Sequence, residues 1–163
     1  METLKKVMQG QYTNTTNISI KVGMYTAIGL ILYFMTMRVL NLYHNLALHY
    51  LNIIVLCMGL RFTIKRIAQI NGNINYFEGL KSGIIVSIVS VITFNLFMLI
   101  YTTVLDRPFF SFLKENISFG NLFSGESTII GLLGIIAVEG LSSGFIMTFI
   151  LMQYYKSENS ETE

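Results

Sequence analysis

Charged residues are scarce in this sequence. Asp, Glu, Lys and Arg make up 12% of the 163 residues, whereas hydrophobic residues make up 53%. Soluble domains carry about 25% charged residues, so this chain cannot cover a buried core with a polar surface. A soluble domain is therefore excluded, and we expect the lipid bilayer to surround much of the protein. The formal net charge of +2 is too small to indicate a nucleic-acid partner.

Cysteine is rare and several catalytic motifs are missing. The single cysteine, Cys57, excludes an intramolecular disulfide and a thiol cluster for zinc or iron–sulfur binding. The sequence contains neither the zinc-protease motif H-E-x-x-H nor the phosphate-binding motif G-x-x-x-x-G-K-S/T. We therefore predict that the protein is not an enzyme and holds no cofactor or metal.

The hydrophobic residues fall into four long stretches, which predict an all-α polytopic membrane protein. The third stretch is the clearest, because it contains no charged side chain and approaches the roughly 20 residues that cross about 30 Å of hydrocarbon. The second is short and continues into a basic segment that we expect to end near Asn71 and Gly72. The predicted spans are residues 20–37, 46–60, 83–101 and 128–152. They leave a cytoplasmic leader at 1–19, a transmembrane domain at 20–155 and a polar tail at 156–163.

The placement of basic residues predicts how the spans face the two sides of the membrane, because cytoplasmic loops carry an excess of Lys and Arg. With the N-terminus inside, eight of the 11 basic residues are cytoplasmic and three are external. The eight are Lys5, Lys6, Lys21, Arg61, Lys65, Arg66, Lys81 and Lys156, and the three are Arg38, Arg107 and Lys114. We therefore predict that both termini are cytoplasmic. Four of the eight are expected to contact anionic lipid headgroups, namely Arg61, Lys65, Arg66 and Lys81.

The external loop between the third and fourth spans contains a predicted helix. Asp106 is suited to cap it, and Pro108 is tolerated in a first turn because its missing N–H would be unsatisfied there anyway. Phe109 and Phe112 then belong to an apolar face opposite Lys114. This pattern predicts an amphipathic external helix. The helix either plugs the outer end of the bundle or forms a lid or a docking surface for an envelope partner.

Glu139 is the charged residue that lies in the middle of a predicted span. A central charge costs about 2.5–3.5 kcal/mol, and each Leu, Ile, Phe or Val returns about 0.3–0.6 kcal/mol. Thirteen such residues between positions 129 and 151 outweigh that cost, so we retain the span. Two hypotheses stay open for Glu139: hydrogen bonds that join it to the third span, or a role in transport. Polar residues at similar depth include Asn95, Ser90 and Ser143.

Four glycines in the fourth span would let another helix approach its backbone closely. Two of them have the G-x-x-x-G spacing that is common in contacts between membrane helices, and two lie one or two turns earlier. The first pair is Gly140 and Gly144, and the second is Gly131 and Gly134. They serve either packing within one bundle or an interface between copies of the chain.

The stretch that begins at Asn71 and leads into the third span carries a family resemblance. Together with the later Pro-aromatic pair, it resembles a family of small four-span bacterial integral membrane proteins catalogued as a domain of unknown function. The matching positions are Gly72, Ile74, Tyr76, Gly83, Pro108 and Phe109. The resemblance implies a bacterial cytoplasmic (inner) membrane, supplies no catalytic residues and leaves the activity open.

The leading hypothesis for function is a non-enzymatic membrane scaffold or an accessory or assembly subunit. Its partners would be membrane lipids together with another copy of the chain or an envelope protein. The alternative is a small transporter or a proton-linked channel that uses the intramembrane Glu139. The substitution Glu139→Gln separates the two hypotheses, because a hydrogen-bonding scaffold tolerates the neutral isostere whereas a proton carrier loses flux.

Overall fold

The computed structural model describes residues 2–42, 51–71, 75–105 and 128–160, and these ranges are almost entirely helical. Helix α1 runs over Glu2–Val39 and α2 over Leu51–Asn71. Helix α3 runs over Tyr76–Ile100 and continues into a π-helical turn at Tyr101–Leu105, and α4 runs over Thr128–Ser160. The all-α class is thereby confirmed. The predicted external helix between the third and fourth spans lies outside the described residues.

Three of the helices are long and apolar enough to cross a membrane. These membrane-length segments are Asn14–Val39 in α1, Tyr76–Val104 in α3 and its π-helical turn, and Ile129–Tyr155 in α4. They correspond to the first, third and fourth predicted spans. The predicted second span is not confirmed, because the described part of α2 carries Arg61, Lys65 and Arg66 in its second half.

The polar segment that the sequence places in a leader, residues 1–19, is part of α1 from Glu2 onwards. Thr15 and Ser19 are buried, and the Ser19 hydroxyl donates to the Thr15 carbonyl oxygen at 3.0 Å. The Thr15 hydroxyl donates to the Glu78 carboxylate of α3, also at 3.0 Å. Because these hydroxyls find acceptors within the helix and on α3, the end of the polar segment packs against the bundle.

Helices α1 and α3 run in parallel. Thr15 meets Glu78 at one end of the pair, and the Arg38 side chain meets the Tyr101 hydroxyl at the other. We call these the Thr15 end and the Arg38 end of the bundle. α2 runs antiparallel to α1, and α4 runs antiparallel to α3, so successive helices alternate in direction. The direction of α2 follows from the contacts of Gly59 with Thr26 and of Gly29 with Val55. The direction of α4 follows from the contacts of Gly140 with Val91 and of Gly144 with Ser87.

Helix α3 lies at the centre of the bundle. It packs against α1, α2 and α4, and α2 also contacts α1 and α4. Within the described ranges, the backbones of α1 and α4 do not approach each other closely. α4 is the most exposed of the three long apolar helices, since 6% of the apolar 18-residue stretch in its membrane-length segment is buried, against 39% of that in α1 and 33% of that in α3.

Three apolar clusters hold the helices together. At the Arg38 end, the Phe34 and Tyr101 rings meet edge to face with their centroids 5.2 Å apart. The middle cluster joins α2 to α3, and the cluster at the Thr15 end joins α2 to α4. Their buried members are Leu56, Leu60 and Val86 in the middle, and Ile64, Ile67 and Met152 at the Thr15 end. The basic half of α2 is therefore packed into the bundle along its apolar side.

Candidate functional site

Glu139 lies on the outer surface of the bundle. It is in the middle third of the membrane-length segment of α4, and its side chain is exposed. The next residue, Gly140, faces α3, where an added Cβ would lie 2.8 Å from the Val91 Cγ2 atom. Because successive helical residues are rotated by about 100°, a contact with α3 at Gly140 turns Glu139 away from α3.

The structure does not join Glu139 to the polar groups of α3, which is the first of the two hypotheses drawn from the sequence. The Ser90 hydroxyl donates to the carbonyl oxygens of Gly23, at 3.0 Å, and of Val86, at 2.7 Å. The Asn95 amide donates to the Val91 carbonyl oxygen at 3.1 Å. These groups use backbone acceptors, and Ser90 links α3 to α1 instead of α4.

Ser143 is likewise occupied within its own helix. Its hydroxyl donates to the Gly140 carbonyl oxygen at 3.0 Å. The run from Gly140 to Gly144 matches the letters of the nucleophile motif G-x-S-x-G, whose serine needs a sharp turn from a strand into a helix. Here the run lies inside the continuous α4, where Ser142 is exposed, so it does not form that turn.

Of the four glycines in the fourth predicted span, two lie at close helix contacts. Gly140 lies against Val91, and Gly144 lies so close to Ser87 that an added Cβ would clash with its side chain. Gly134 is exposed, and nothing lies within 4 Å of the position of a Cβ there, while Gly131 is half-buried. The G-x-x-x-G pair therefore serves packing within one chain, and α4 is open at Gly134.

Two close contacts involve residues that the sequence analysis did not single out for packing. Gly83 of α3 faces Thr148 of α4, and Gly59 of α2 faces Thr26 of α1; an added Cβ at either glycine would clash with the threonine side chain. The signal for the first was present in the sequence. Small residues recur every fourth position in α3, at Gly79, Gly83 and Ser87.

In the described part of the chain, two buried amide oxygens have no hydrogen-bond partner. They belong to Asn95 of α3 and Asn52 of α2, which the sequence analysis did not consider. An unsatisfied buried acceptor costs about 1–3 kcal/mol, so these groups weaken the fold. Within the described ranges, His, Cys, Asp and Glu form no group of three or more that could hold a metal ion.

Among the residues that the structure describes, the exposed basic residues are distributed unevenly between the two ends of the bundle. The four that are expected to meet lipid headgroups, and Lys21, are exposed and lie in the half that contains the Thr15 end. The four are Arg61, Lys65, Arg66 and Lys81. At the other end, Arg38 is half-buried and donates from Nε to the Tyr101 hydroxyl at 3.1 Å. One half of the bundle therefore presents exposed cations, whereas the cation that the structure describes in the other half, Arg38, is hydrogen-bonded within the bundle.

The architecture defines an all-helical protein with three helices suited to cross a membrane. Comparison of the chain with family models, with curated proteins and with solved structures finds no match. The resemblance carried by Gly72, Tyr76 and Gly83 stays a prediction.

Proposed function

We propose that this protein is a non-enzymatic subunit of a membrane assembly, in which the outer surface of α4 contacts a transmembrane helix of a partner. The observation that carries the proposal is the position of Glu139. It combines a carboxyl group at the middle of the membrane with exposure on the least covered of the long apolar helices.

The energetic cost of that position favours a partner. A charged side chain at the centre of the bilayer costs about 2.5–3.5 kcal/mol on insertion scales, and a neutral carboxyl would still lack a hydrogen-bond partner among lipid chains. Ionisable residues in membrane helices usually face the bundle interior or a water-filled cavity. Because Glu139 faces away from its own bundle, a group on another chain is the natural source of its hydrogen bond.

The surface around Glu139 suits the approach of another helix. The exposed Ser142 lies about one turn beyond Glu139 on the same side of α4, so a partner helix could meet both side chains. A partner helix with a hydroxyl, amide or carboxyl group at this depth would complement both. Hydrogen bonds of this kind between membrane helices contribute about 0.6–2 kcal/mol each. The partner is another copy of the chain or a different envelope protein.

The alternative function, a small transporter or proton-linked channel, requires Glu139 to line a cavity. An exposed Glu139 gives no support to a path through the interior of one chain. Such a path would have to run between chains, and assembly would then come first.

Site-specific photocrosslinking in the native membrane tests the proposal. The probe replaces Ser142 on the exposed side of α4, and a matched control replaces Ile28, which is 49% exposed at similar depth on α1. We expect protein adducts from position 142 and mainly lipid adducts from position 28. In the Glu139→Leu background the adduct at 142 should be lost, whereas Glu139→Gln, which still forms hydrogen bonds, should keep it. Lipid adducts alone at both positions would contradict the proposal.

A further inference from the structure

The second half of α2 presents three cations to the outside of the bundle. Arg61 and Lys65 lie one turn apart and Arg66 lies beside Lys65, and all three are exposed. α2 contains no acidic residue, so their charge is not balanced within the helix. We infer that this surface binds the phosphate groups of anionic lipids in the leaflet at the Thr15 end. We call it the basic surface, and it consists of Arg61, Phe62, Lys65, Arg66 and Ile70.

The opposite side of the same segment is held inside the bundle. Leu60, Thr63 and Ile64 have no exposed fraction, and Ile67 is 1% exposed. Because each residue of a helix has a fixed direction around the axis, burial of this side sets the direction of the basic surface. The three cations therefore face the surroundings of the bundle and cannot turn towards its interior.

Two large apolar side chains lie among the cations. Phe62 is 61% exposed and Ile70 is 47% exposed. Cations together with exposed aromatic and aliphatic side chains are typical of helices at a membrane interface, where the apolar groups enter the acyl chains and the cations meet the headgroups. A soluble phosphate ligand would leave Phe62 in water, so the pair favours a lipid.

The depth of the basic surface matches the headgroup region. Ile64 and Ile67 pack with Met152, and Tyr76 lies against the same cluster. Tyr76 begins the membrane-length segment of α3, and Met152 lies within one turn of the end of that of α4. Arg61 lies about 6 Å deeper than Lys65, and its long side chain can extend along the helix to the headgroups.

The difference in exposed cations between the two ends of the bundle predicts which end lies in the cytoplasmic leaflet. At the Arg38 end, the described cation donates to the Tyr101 hydroxyl and is half-buried. At the Thr15 end, Lys21 adds a further exposed cation outside the basic surface. Anionic lipids attract juxtamembrane basic residues, so the basic surface favours the cytoplasmic leaflet for the Thr15 end. This inference is independent of the assembly proposed through Glu139.

Native mass spectrometry of the purified full-length protein tests the inference. Phosphatidylglycerol and phosphatidylcholine are titrated separately, and the affinity for the first bound lipid is measured for each. We expect phosphatidylglycerol to bind at least tenfold more tightly. Its affinity should fall as the salt concentration rises, because the interaction is between exposed charges. Equal affinity for the two lipids would overturn the inference. This comparison uses the wild-type protein alone.

Variants then locate the site. The triple change Arg61→Gln, Lys65→Gln and Arg66→Gln should lower the affinity for phosphatidylglycerol by about tenfold or more and leave that for phosphatidylcholine unchanged. The matched control is Lys21→Gln, which removes an exposed cation at the same end. It should stay within about twofold of the wild type. Circular dichroism checks that the triple variant is folded, as expected for exposed positions.

Two further results would overturn the inference. An equal loss of affinity in Lys21→Gln and in the triple variant would indicate a general effect of net charge. Displacement of phosphatidylglycerol by inorganic phosphate at a similar concentration would indicate a site for soluble anions. The variant Phe62→Ala separates the two sources further, because it should weaken lipid binding and leave the binding of inorganic phosphate unchanged.

Discussion

Helices α3 and α4 are both long and apolar enough to cross a membrane, but they occupy opposite kinds of position. α3 contacts all three other helices and carries buried hydroxyl groups, whereas only 6% of the apolar 18-residue stretch in the membrane-length segment of α4 is buried. Overall hydrophobicity therefore does not determine which helix is central. In a bilayer both the inner and the outer surface of a helix are apolar, so hydrophobicity carries little information about direction.

The difference lies in the number of sides that carry small residues. On α3, Gly83 and Ser87 face α4, and Ser90 bonds to Gly23 of α1. α4 has such a row on one side, at Gly140, Gly144 and Thr148. On its other side, Glu139 and Ser142 lie among large exposed residues. A helix with small residues on two sides can lie between neighbours, and a helix with one such side remains at the edge, where it can meet another chain.

The largest expected effect comes from adding a methyl group at a close contact. Gly83→Ala should destabilise the fold by about 1–3 kcal/mol, because the new Cβ meets the Thr148 side chain. The matched control is Gly134→Ala on the open part of α4, which should be neutral or slightly stabilising because alanine favours helix. Reversible unfolding in detergent measures both. Equal losses of stability in the two variants would contradict the distinction between the close contact at Gly83 of α3 and the open position at Gly134 of α4.

The next effect compares one apolar substitution on the two helices. Asn95→Leu should stabilise the isolated chain by about 1 kcal/mol, because it removes a buried acceptor that has no donor. Glu139→Leu should leave the stability of the isolated chain within about 0.5 kcal/mol, because the side chain is exposed. The same unfolding assay applies. A large loss of stability in Glu139→Leu would mean that Glu139 supports its own bundle.

The smallest effect concerns a single hydrogen bond between helices. Ser90→Ala should cost about 0.6 kcal/mol, because it removes the bond from the Ser90 hydroxyl to the Gly23 carbonyl oxygen. Ser142→Ala on the exposed side of α4 is the control and should show no change in the isolated chain. If the two variants cannot be distinguished, the buried hydroxyl of α3 contributes no more than an exposed one.

Much of the fold could be predicted from the sequence, because spans in lipid need long apolar stretches. The first, third and fourth predicted spans fall on the membrane-length segments Asn14–Val39, Tyr76–Val104 and Ile129–Tyr155. The helical state of residues 2–19 could not be predicted in the same way. Its polar residues are typical of a solvated segment, and burial of Thr15 depends on an acceptor, Glu78, that is distant in sequence.

The candidate site was harder to predict than the fold. Glu139 could be identified from its position alone, because a carboxyl group in an apolar stretch is conspicuous. The direction of its side chain could not be predicted, because α4 is apolar on all sides. A rotation of about 100° is enough to separate a residue that faces α3 from one that faces outwards. The contact of Gly140 with Val91 is what settles that rotation, and it depends on a partner helix.

The central claim is that the exposed side of α4 contacts another chain through Glu139. The most direct test extracts the protein from its membrane in polymer-bound bilayer particles and compares the masses of wild type and Glu139→Leu. The account predicts that the wild-type particle contains at least one additional protein chain and that the Glu139→Leu particle contains a single chain. Particles of equal mass, with one chain in each, would contradict it.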